Sequence, residues 1–506
     1  MTVNSSYENP RGSGAAAAAA AYNVDGSGPP NSAQAQQQQQ QREQQRQQPH
    51  THPEKEINLK LGWPSPSFLP ASLLAESAQR LLSDPALYTE ALEYGLDRGH
   101  LPLRRGLASW LGRHYGIAEG KGWEPDPERI CVTGGASQNI ARVLQCYADP
   151  AYTRAVWVVA PCFFLACSIF EDGGFAGKLR ASPEDEEGLD IGALERKMRA
   201  LDDEVDAKPA VAPIKKTKSF TKFYKHIIYA VPTCANPSGR TMTLRRREAL
   251  VRLARRHDAL VIADDVYDFL QWDDAEAEAA PSGVAGAGVR RTPEMRLPRL
   301  CDVDRAMGPC EADPGGFGHA VSNGSFSKVA GPGVRTGWLE ASRAFAWGLG
   351  QAGTTVSGGP PSHFTAAVMS GLVASGALER KIDEQTRAAL RRRRGLMMDA
   401  LRKYVFPLGA SCQDGSPAGT SVRGGYFLWV KLPDGVAAGP FAAAASGEEN
   451  VAVAAGGLFE VAGDDSVRFD DHCRLCFAYV EEEDLVEAVR RLGGLLKRMQ
   501  ARGVKG

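Results

Sequence analysis

The chain has 506 residues and a formal net charge of −1 at pH 7, so its overall electrostatics do not indicate nucleic acid or an anionic membrane as a partner. Hydrophobic residues make up 43% of the chain, enough for a large core divided between more than one domain. Ten cysteines without a paired framework, no secretory signal and no apolar run long enough to cross a bilayer together predict a cytoplasmic protein.

Residues 1–55 are predicted to form a disordered tail. They contain an alanine tract, Ala15 to Ala21, and then the glutamine-rich run "AQAQQQQQQREQQRQQPH". Such a composition lacks the apolar periodicity needed to bury a core. A passive tail is favoured over an interaction surface, and the tail does not have the pattern of a folded DNA-binding module.

Patterns of strands and helices alternate along the chain after the tail. Short buried strands are predicted at 129–133, 155–160, 226–231 and 259–265. A helix is predicted through "ASQNIARVLQCY" after the first strand, and another over 243–258 before the last. This alternation predicts an α/β fold with a mostly parallel sheet, in which ligands bind beyond the carboxyl ends of the strands.

Several stretches interrupt the alternation. Residues 202–225 and 273–318 are rich in Ala, Pro, Gly and charge, and they are predicted to be surface insertions. The stretch 434–457 is ambiguous, because its alanines are also compatible with a helix. The arginine runs Arg245–Arg247 and Arg391–Arg394 are interpreted as solvated faces of helices.

The one CxxC motif consists of Cys473 and Cys476, within the strand-like sequence "CRLCFAYV". A structural metal site of this type needs a second pair of ligands, which the sequence does not offer at a suitable spacing. Two small buried thiols are therefore favoured over a metal or redox site, and no metal is expected.

Special residues follow the predicted strands. Gly135 precedes a helix, whose first backbone N–H groups favour a phosphate, while Asn236 and Asp264 each follow a later strand. Lys328 follows a fourth strand-like run, and Arg335 comes seven positions later. Each feature alone has an ordinary structural explanation. Their order and their shared position at strand ends indicate a common site.

In this combination the chain resembles the fold-type-I, pyridoxal 5'-phosphate (PLP)-dependent class I/II aminotransferases. Within that group it is most similar to the 2-aminoadipate, kynurenine and aromatic aminotransferases and related fungal proteins. The resemblance runs from Ile57 to about Met499, and its motifs are "TGGASQN", "ANPSGR", "IADDVYDF" and "SNGSFSKVAGPGVRTGW".

The resemblance implies an α/β fold with two domains. The large PLP-binding domain, expected at 96–345, has a mostly parallel central sheet with helices on both faces. The smaller α+β domain is expected to combine an N-terminal segment, 56–95, with the C-terminal part, 346–506.

The resemblance also implies roles for individual residues. Lys328 is expected to bind PLP covalently and, with Asp264 and Tyr267, to form the catalytic set. Asp264 is expected to pair with the ring nitrogen of PLP, while Tyr267 and Asn236 bind its phenolic oxygen. Asp265 is interpreted as a partner in local hydrogen bonds. A neutral lysine amine is needed for the attachment, so partial burial and a nearby cation are expected to lower its pKa.

The phosphate of PLP is expected to contact five residues that match the phosphate-binding positions of the family. Arg335 supplies a planar guanidinium suited to phosphate, and Ser325 supplies a hydroxyl. Gly135, Ala136 and Ser137 form the strand-to-helix turn. Many relatives have a serine where this chain has Ala136, so only the backbone N–H of Ala136 can serve here.

Two further residues are assigned to the cofactor. Phe163 falls where many relatives have a tyrosine that stacks on the PLP ring, and phenylalanine keeps the stacking area without the hydroxyl. Tyr94 matches a tyrosine that reaches the phosphate of the neighbouring subunit, which implies a homodimer.

The substrate is expected to be an amino acid or a 2-oxo acid. Arg474 matches the arginine that binds the substrate α-carboxylate, and Gly62 and Asn236 match neighbouring contacts. Arg98 and Arg104 are candidates for a distal carboxylate, but each is equally compatible with a surface position.

These residues imply a transaminase that moves an amino group from an L-amino acid, aromatic or 2-aminoadipate-like, to a 2-oxo acid. Because a fold does not fix a reaction, a PLP lyase, decarboxylase or cyclase is the alternative within enzymes. A regulatory protein that merely retains PLP is a third hypothesis. Product identity separates the first two, and deletion of the tail tests the third.

Overall fold

The computed structural model describes residues 55–116, 125–275, 295–413, 415–416 and 420–503. The predicted tail at 1–55 lies outside the described residues except for its last residue, and so does part of the predicted insertion at 273–318. No helix within the described ranges is long and apolar enough to cross a membrane.

The strands, in chain order, are β1 Ile57–Asn58, β2 Ile130–Thr133, β3 Ala155–Ala160, β4 Leu179–Asp185, β5 Gly188–Leu189, β6 His226–Ala230, β7 Ala259–Asp264, β8 Gln271–Asp273, β9 Ala320–Ser325, β10 Gly337–Glu340, β11 Ser411–Cys412, β12 Val422–Gly424, β13 Phe427–Lys431, β14 Val451–Ala452, β15 Ala454–Ala455 and β16 His472–Cys476.

The α-helices are α1 Ala71–Ser83, α2 Pro85–Leu92, α3 Leu101–Tyr115, α4 Ala136–Tyr147, α5 Leu165–Phe170, α6 Ile191–Asp206, α7 Leu244–Arg256, α8 Leu300–Ala306, α9 Arg343–Gly350, α10 Gly353–Val356, α11 His363–Ala374, α12 Ala377–Lys381, α13 Arg387–Tyr404, α14 Ala438–Glu449 and α15 Glu482–Ala501.

The central sheet has the strand order β2-β10-β9-β7-β6-β3-β4-β5. Strands β4, β3, β6, β7 and β9 run parallel, whereas β10 is antiparallel to both of its neighbours. The short β5 turns back against the end of β4. The predicted α/β fold with a mostly parallel sheet is therefore confirmed.

Helices cover both faces of this sheet. Ile262 of β7 packs in a core cluster with Ile140 of α4, whereas Val261, its neighbour in the chain, packs in a second cluster with Leu250 of α7. Successive residues of a strand point to opposite faces, so both faces of β7 are buried. This explains why the parallel strands are continuous apolar runs in the sequence.

A second, antiparallel sheet has the order β11-β13-β16-β15. It shares a core cluster with α13 and α15, to which Leu428, Leu390 and Leu492 contribute. The N-terminal segment joins the C-terminal part directly, because β1 pairs with β14 through Ile57 and Val451. The proposed domain boundaries near residues 95 and 345 remain predictions.

The predicted surface insertions are wrong in part. Helix α6 extends to Asp206, and Tyr224 is fully buried, so the ends of 202–225 belong to the core. Within 273–318, α8 buries Leu300 and Val303. The buried Arg299 beside them is paired with Asp302, and such internal pairing cannot be deduced from composition. In the ambiguous stretch 434–457, the alanines form α14.

The arginine runs are also less solvated than predicted. Arg245 is exposed as expected, but Arg247 is buried, and its guanidinium donates to Thr233 Oγ1 at 2.9 Å and to several backbone carbonyls. Arg393 is buried as well, with its guanidinium 5.1 Å from the centroid of the Phe68 ring. Carbonyl acceptors and an aromatic face replace water around these two charges.

Candidate active site

The predicted site residues lie at the carboxyl edge of the central sheet. Strands β7 and β9 pair in parallel, and they end at Asp264 and Ser325. A single turn of 3₁₀-helix, Phe326–Lys328, then carries the lysine. Strand β2 ends at the same edge, where Gly135 starts α4. The parallel register therefore collects residues that are far apart in the sequence.

Lys328 is held from two sides. Its Nζ donates a hydrogen bond of 2.7 Å to the backbone carbonyl of Gly62, in the N-terminal segment. Its own carbonyl accepts a hydrogen bond of 2.8 Å from the hydroxyl of Tyr426. The amine also lies 5.8 Å from the centroid of the Tyr267 ring. The amine therefore lies against the N-terminal segment and the ring of Tyr267.

The electrostatics of this position favour a neutral lysine. Burial lowers the pKa of Lys328 to about 8, and the guanidinium of Arg474 acts in the same direction. Negative charge on Asp264 or Cys476 opposes this change in pKa without reversing it. The amine is therefore a usable nucleophile and base close to neutral pH.

Asp264 has one satisfied and one unsatisfied carboxylate oxygen. Its Oδ2 accepts a hydrogen bond of 2.7 Å from the hydroxyl of Tyr229, on the adjacent strand β6. Its Oδ1 is buried and has no hydrogen-bond partner among the described residues. Burial raises the pKa of Asp264 to about 6, although Tyr229 and Lys328 oppose the rise, so the group is mostly ionised at pH 7. A buried, ionised oxygen without a partner indicates a ligand that donates a hydrogen bond.

The turn before α4 packs against Arg335. Gly135 has a φ of +106°, which strongly favours glycine, and an added Cβ would lie 3.0 Å from Nη2 of Arg335. That same nitrogen donates to the carbonyl of Gly134 at 3.1 Å. The close approach leaves the guanidinium beside the first turn of a helix.

The start of α4 and the end of β9 offer further donors for an anion. Ala136 and Ser137 are the first residues of α4, and no side chain caps this helix start. The first N–H groups of a helix lack intrahelical acceptors and attract negative charge. Ser325 is buried, and its hydroxyl lies 2.9 Å from that of Ser327. Together with Arg335, these groups suit a phosphate.

Arg474 is a buried arginine with an unused donor. It donates to Asn236 Oδ1 at 2.8 Å and to the carbonyl of Lys60, and its guanidinium lies 4.1 Å from the centroid of the Phe427 ring. Its Nε is buried without a partner among the described residues. Burial lowers the pKa of Arg474 to about 10, so it stays charged at pH 7. The site therefore offers a carboxylate a fixed cation.

Gly62 is required by close packing. A Cβ at this position would lie 2.7 Å from Cζ of Phe427 and 3.9 Å from Nη2 of Arg474. The backbone can therefore pass close to the arginine and to Lys328 only if residue 62 has no side chain.

Tyr267 and Phe163 supply aromatic surface near these groups. Tyr267 is buried, with its ring 6.0 Å from that of Phe427, and burial raises the pKa of its hydroxyl. Phe163 follows β3 and lines a cavity of about 10 Å³ together with Asn236 and Cys162.

Three of the sequence candidates are not part of this cluster. Tyr94 is 90% exposed and packs beside Gly358. Arg104 is buried and donates to Glu128 at 3.2 Å, and Arg98 binds the same carboxylate. Neither arginine is therefore presented to a substrate within this chain.

Sequence reasoning missed Tyr229 and Tyr426, whose hydroxyls contact Asp264 and Lys328. Both tyrosines stand in apolar runs, "HIIYAV" and "GGYFLW". A buried tyrosine usually has a hydrogen-bond partner, so an isolated tyrosine in a buried strand was the available signal.

Both cysteines of the CxxC motif are buried. Cys473 and Cys476 are both buried on β16 and three residues apart, so their side chains leave opposite faces of the strand. Within the described residues, no cluster of His, Cys, Asp and Glu could hold a metal ion. The prediction of two small buried thiols is confirmed.

Comparison with known proteins identifies the family. A sequence profile described as "Aminotransferase class I and II" matches residues 65–492. The chain belongs to the class I and II aminotransferases. An uncharacterised protein of Saccharomyces cerevisiae is 31% identical to this aminotransferase over 462 residues, covering 88% of this chain and 97% of the yeast protein.

Named relatives agree with this assignment. The aminotransferase is 27% identical to aromatic-amino-acid aminotransferase 1 of Thermococcus litoralis over 441 residues, covering 87% of this chain and 88% of the relative. It is also similar to the crystal structure of LysN, the alpha-aminoadipate aminotransferase of Thermus thermophilus, complexed with N-(5'-phosphopyridoxyl)-L-leucine. That likeness has a TM-score of 0.65 and 26% identity, and it covers 88% of this chain and 93% of LysN.

The aminotransferase is thus a PLP-dependent enzyme that transfers amino groups between amino acids and 2-oxo acids. The residues present fit this cofactor. The unpartnered Oδ1 of Asp264 can accept a hydrogen bond from a protonated pyridine nitrogen, and Arg335 beside the start of α4 can bind a phosphate.

Proposed function

We propose that the aminotransferase uses Lys328 as its covalent anchor and proton carrier, with an aromatic or 2-aminoadipate-like L-amino acid as donor and a 2-oxo acid as acceptor. The observation that carries this proposal is the pairing of an amine whose pKa is about 8 with the unpartnered carboxylate oxygen of Asp264 at one sheet edge. The amine of Lys328 can react, while the carboxylate of Asp264 keeps the ring nitrogen of the cofactor protonated.

The cofactor would be held at three points. Arg335, Ser325 and the N–H groups at Gly135, Ala136 and Ser137 would bind its phosphate. Asp264 would accept from its ring nitrogen, while Tyr267 and Asn236 would donate to its phenolic oxygen. Phe163 would stack on its ring. When bound, PLP supplies an electron sink that weakens the Cα–H bond of the amino acid.

Arg474 would bind the α-carboxylate of the amino acid. Its contacts with Asn236 and the Lys60 carbonyl orient the guanidinium, and the Phe427 ring covers one of its faces. Exclusion of water strengthens an ion pair at this position. The amino acid would therefore bind in a single orientation.

Lys328 would then move one proton. In its neutral form, Nζ would take the proton from Cα of the amino acid. The resulting ammonium would later donate that proton to the cofactor. The hydrogen bond from Nζ to the Gly62 carbonyl keeps the amine at the same edge as Arg474, so that binding and proton transfer take place together.

Two observations favour an aromatic donor over a 2-aminoadipate-like donor, which carries a distal carboxylate. Arg474 is flanked by Phe427 and by Phe459, whose ring centroid lies 4.8 Å away. Arg98 and Arg104, the candidates for a distal carboxylate, both bind Glu128. The named relatives act on aromatic amino acids and on aminoadipate.

The functional unit is proposed to be a homodimer in which Tyr94 reaches the phosphate site of the partner. Its 90% exposure in a single chain supports this role. Mixing Lys328→Ala protomers with Tyr94→Ala protomers tests it, because each hybrid dimer contains one intact site. Activity should return on mixing, and exchange of subunits without recovery would contradict the shared site. The cytoplasmic location stays a prediction.

The experiment that tests the function adds several amino acids to the PLP-saturated enzyme. Absorption of the bound cofactor should change to that of its amino form, and a 2-oxo acid should reverse the change. Lys328→Ala should lose this cycle, whereas Lys431→Ala, which changes an exposed lysine, should keep it. Pyruvate and ammonia without need of an acceptor would indicate a lyase instead.

A further inference from the structure

Two cysteines outside the CxxC motif are in contact. Cys162 follows β3, and Cys167 lies five residues later in α5. Their Sγ atoms are 3.9 Å apart, and both residues are buried, with 3% and 4% exposure. A disulfide has an S–S distance of about 2 Å, so the two sulfurs would need to approach by about another 2 Å.

The surroundings of the pair place it beside residues of the proposed active site. Cys162 is anchored from the backbone, because its N–H donates to the carbonyl of Phe459 at 2.8 Å. The cavity of about 10 Å³ beside Cys162 has room for at most one water molecule. The same cavity is lined by Phe163 and Asn236, so Cys162 adjoins the proposed active site.

We propose that Cys162 and Cys167 are a redox modification site, at which a hydroperoxide forms a reversible disulfide that restrains the loop carrying Phe163. The intervening residues, 163–166, would become part of a small covalent ring. The disulfide itself does not depend on the proposed function, whereas its effect on the cofactor depends on the proposed stacking of Phe163.

The chemistry balances without any further reactant. A hydrogen bond from Cys162 lowers the pKa of Cys167, which makes Cys167 the first thiolate. That thiolate attacks one oxygen of hydrogen peroxide, the O–O bond breaks, and a sulfenic acid and hydroxide form. The Cys162 thiol then attacks the sulfenic sulfur, an S–S bond forms, and the oxygen leaves as water with the thiol proton. Two electrons pass from the sulfurs to the peroxide.

The decisive measurement is the mass of one tryptic fragment. Fragment 155–178 contains Cys162, Cys167 and no other cysteine, whereas cleavage after Arg474 separates Cys473 from Cys476. The PLP-loaded enzyme is treated with hydrogen peroxide, alkylated and digested. Fragment 155–178 should be lighter by two hydrogen atoms and not alkylated, and dithiothreitol should restore both alkylation sites. Cys473 and Cys476 should stay alkylated.

Two results would overturn the site. The first is that both cysteines of 155–178 remain alkylated at a peroxide dose that oxidises the partly exposed Cys146. The second is that each cysteine gains oxygen and no disulfide forms. The Cys162→Ser variant provides the control. It should convert Cys167 to a form with added oxygen, whereas the wild-type fragment is protected from that addition.

The effect on the cofactor is measured as the dissociation constant of PLP before and after oxidation. Aromatic stacking contributes about 0.5–1.5 kcal/mol, so we expect oxidation to weaken PLP binding by about 2- to 10-fold. The Cys162→Ser/Cys167→Ser double variant should show no change. Unchanged affinity in the disulfide form would overturn the coupling to Phe163, while failure of the reduced enzyme to bind PLP would count against the proposed function alone.

Discussion

The hydroxyl of Tyr229 donates a hydrogen bond of 2.7 Å to Oδ2 of Asp264 and leaves Oδ1 without a partner among the described residues. The two residues lie on the adjacent parallel strands β6 and β7. The tyrosine therefore orients the carboxylate and lowers its pKa, while burial raises it. This balance leaves Asp264 ionised at neutral pH, with one oxygen available to the cofactor.

Tyr229→Phe should move the acid limb of kcat/KM to higher pH. The hydrogen bond lowers the pKa of Asp264, which is about 6, so its loss raises that pKa and protonates the carboxyl at a higher pH. A hydrogen bond to a charged group contributes about 1.5–3 kcal/mol, so PLP affinity should fall by roughly 10-fold or more. Tyr224→Phe removes another buried hydroxyl, which binds the Gly318 carbonyl, and serves as the control. An unmoved acid limb in Tyr229→Phe would refute this assignment.

The rate of PLP uptake by the apoenzyme should increase as the pH rises through about 8. Burial depresses the pKa of Lys328 to that value, and the neutral amine, which predominates above it, is the reactive form. The positive charge of Arg474 contributes to the depression, so Arg474→Gln should move the profile to higher pH. Arg468→Gln, at an exposed arginine in the loop before β16, should leave the profile unchanged. A profile that rises only near pH 10.5 in the wild type would contradict the account.

Gly135→Ala should lower the affinity for PLP, whereas Gly177→Ala, which also changes a glycine with a positive φ, should not. The Cβ added at residue 135 would lie 3.0 Å from the guanidinium of Arg335, so the guanidinium would have to move within the proposed phosphate site. Gly177→Ala is a matched control, because Gly177 also has a positive φ, +76°, but its Cβ would meet nothing within 4 Å. Each variant puts a side chain at a positive φ, at a cost in backbone strain of about 1–3 kcal/mol, and only Gly135→Ala should lose PLP affinity by about 10-fold or more. Equal affinities in titrations of the two variants would exclude the proposed phosphate site.

Arg474→Lys should raise KM for the amino acid while PLP binding persists. A lysine keeps the charge but loses the planar pair of donors, and it cannot reproduce the contacts with Asn236 and the Lys60 carbonyl. A loss of about 2 kcal/mol corresponds to roughly a 30-fold lower kcat/KM. Steady-state kinetics with one donor, beside Arg468→Lys as the control, measure the effect. A variant with wild-type kcat/KM would show that another group binds the carboxylate.

Much of the large sheet could be predicted from the sequence. Its parallel strands are buried on both faces, so β3 and β7 stand out as the uninterrupted apolar runs "AVWVVA" and "ALVIAD". Helix α4 begins and ends where its pattern predicts, at Ala136 and Tyr147. Because parallel strands share one carboxyl edge, the proximity of Asp264 and Lys328 also followed from chain order.

Other features depend on contacts that sequence patterns do not contain. The composition of α8 and of the residues beside it wrongly predicts a surface segment. Arg299 is buried there because it binds Asp302 and Glu340, and these contacts form only in the folded chain. Tyr229 was missed because its hydroxyl meets Asp264 across a strand pair. The contact between Cys162 and Cys167 was missed for the same reason, since the chain bends between β3 and α5. The CxxC spacing is a stronger sequence signal, but Cys473 and Cys476 lie on one strand with their side chains on opposite faces, so they cannot form a disulfide with each other.

The central claim is that the Nζ of Lys328 attaches the cofactor. The most direct test saturates the enzyme with PLP, reduces it with borohydride and locates the added mass by peptide mapping. The phosphopyridoxyl group should be on Lys328, and Lys328→Ala should carry none. Its attachment to another lysine, or its absence from a PLP-saturated enzyme, would contradict the account.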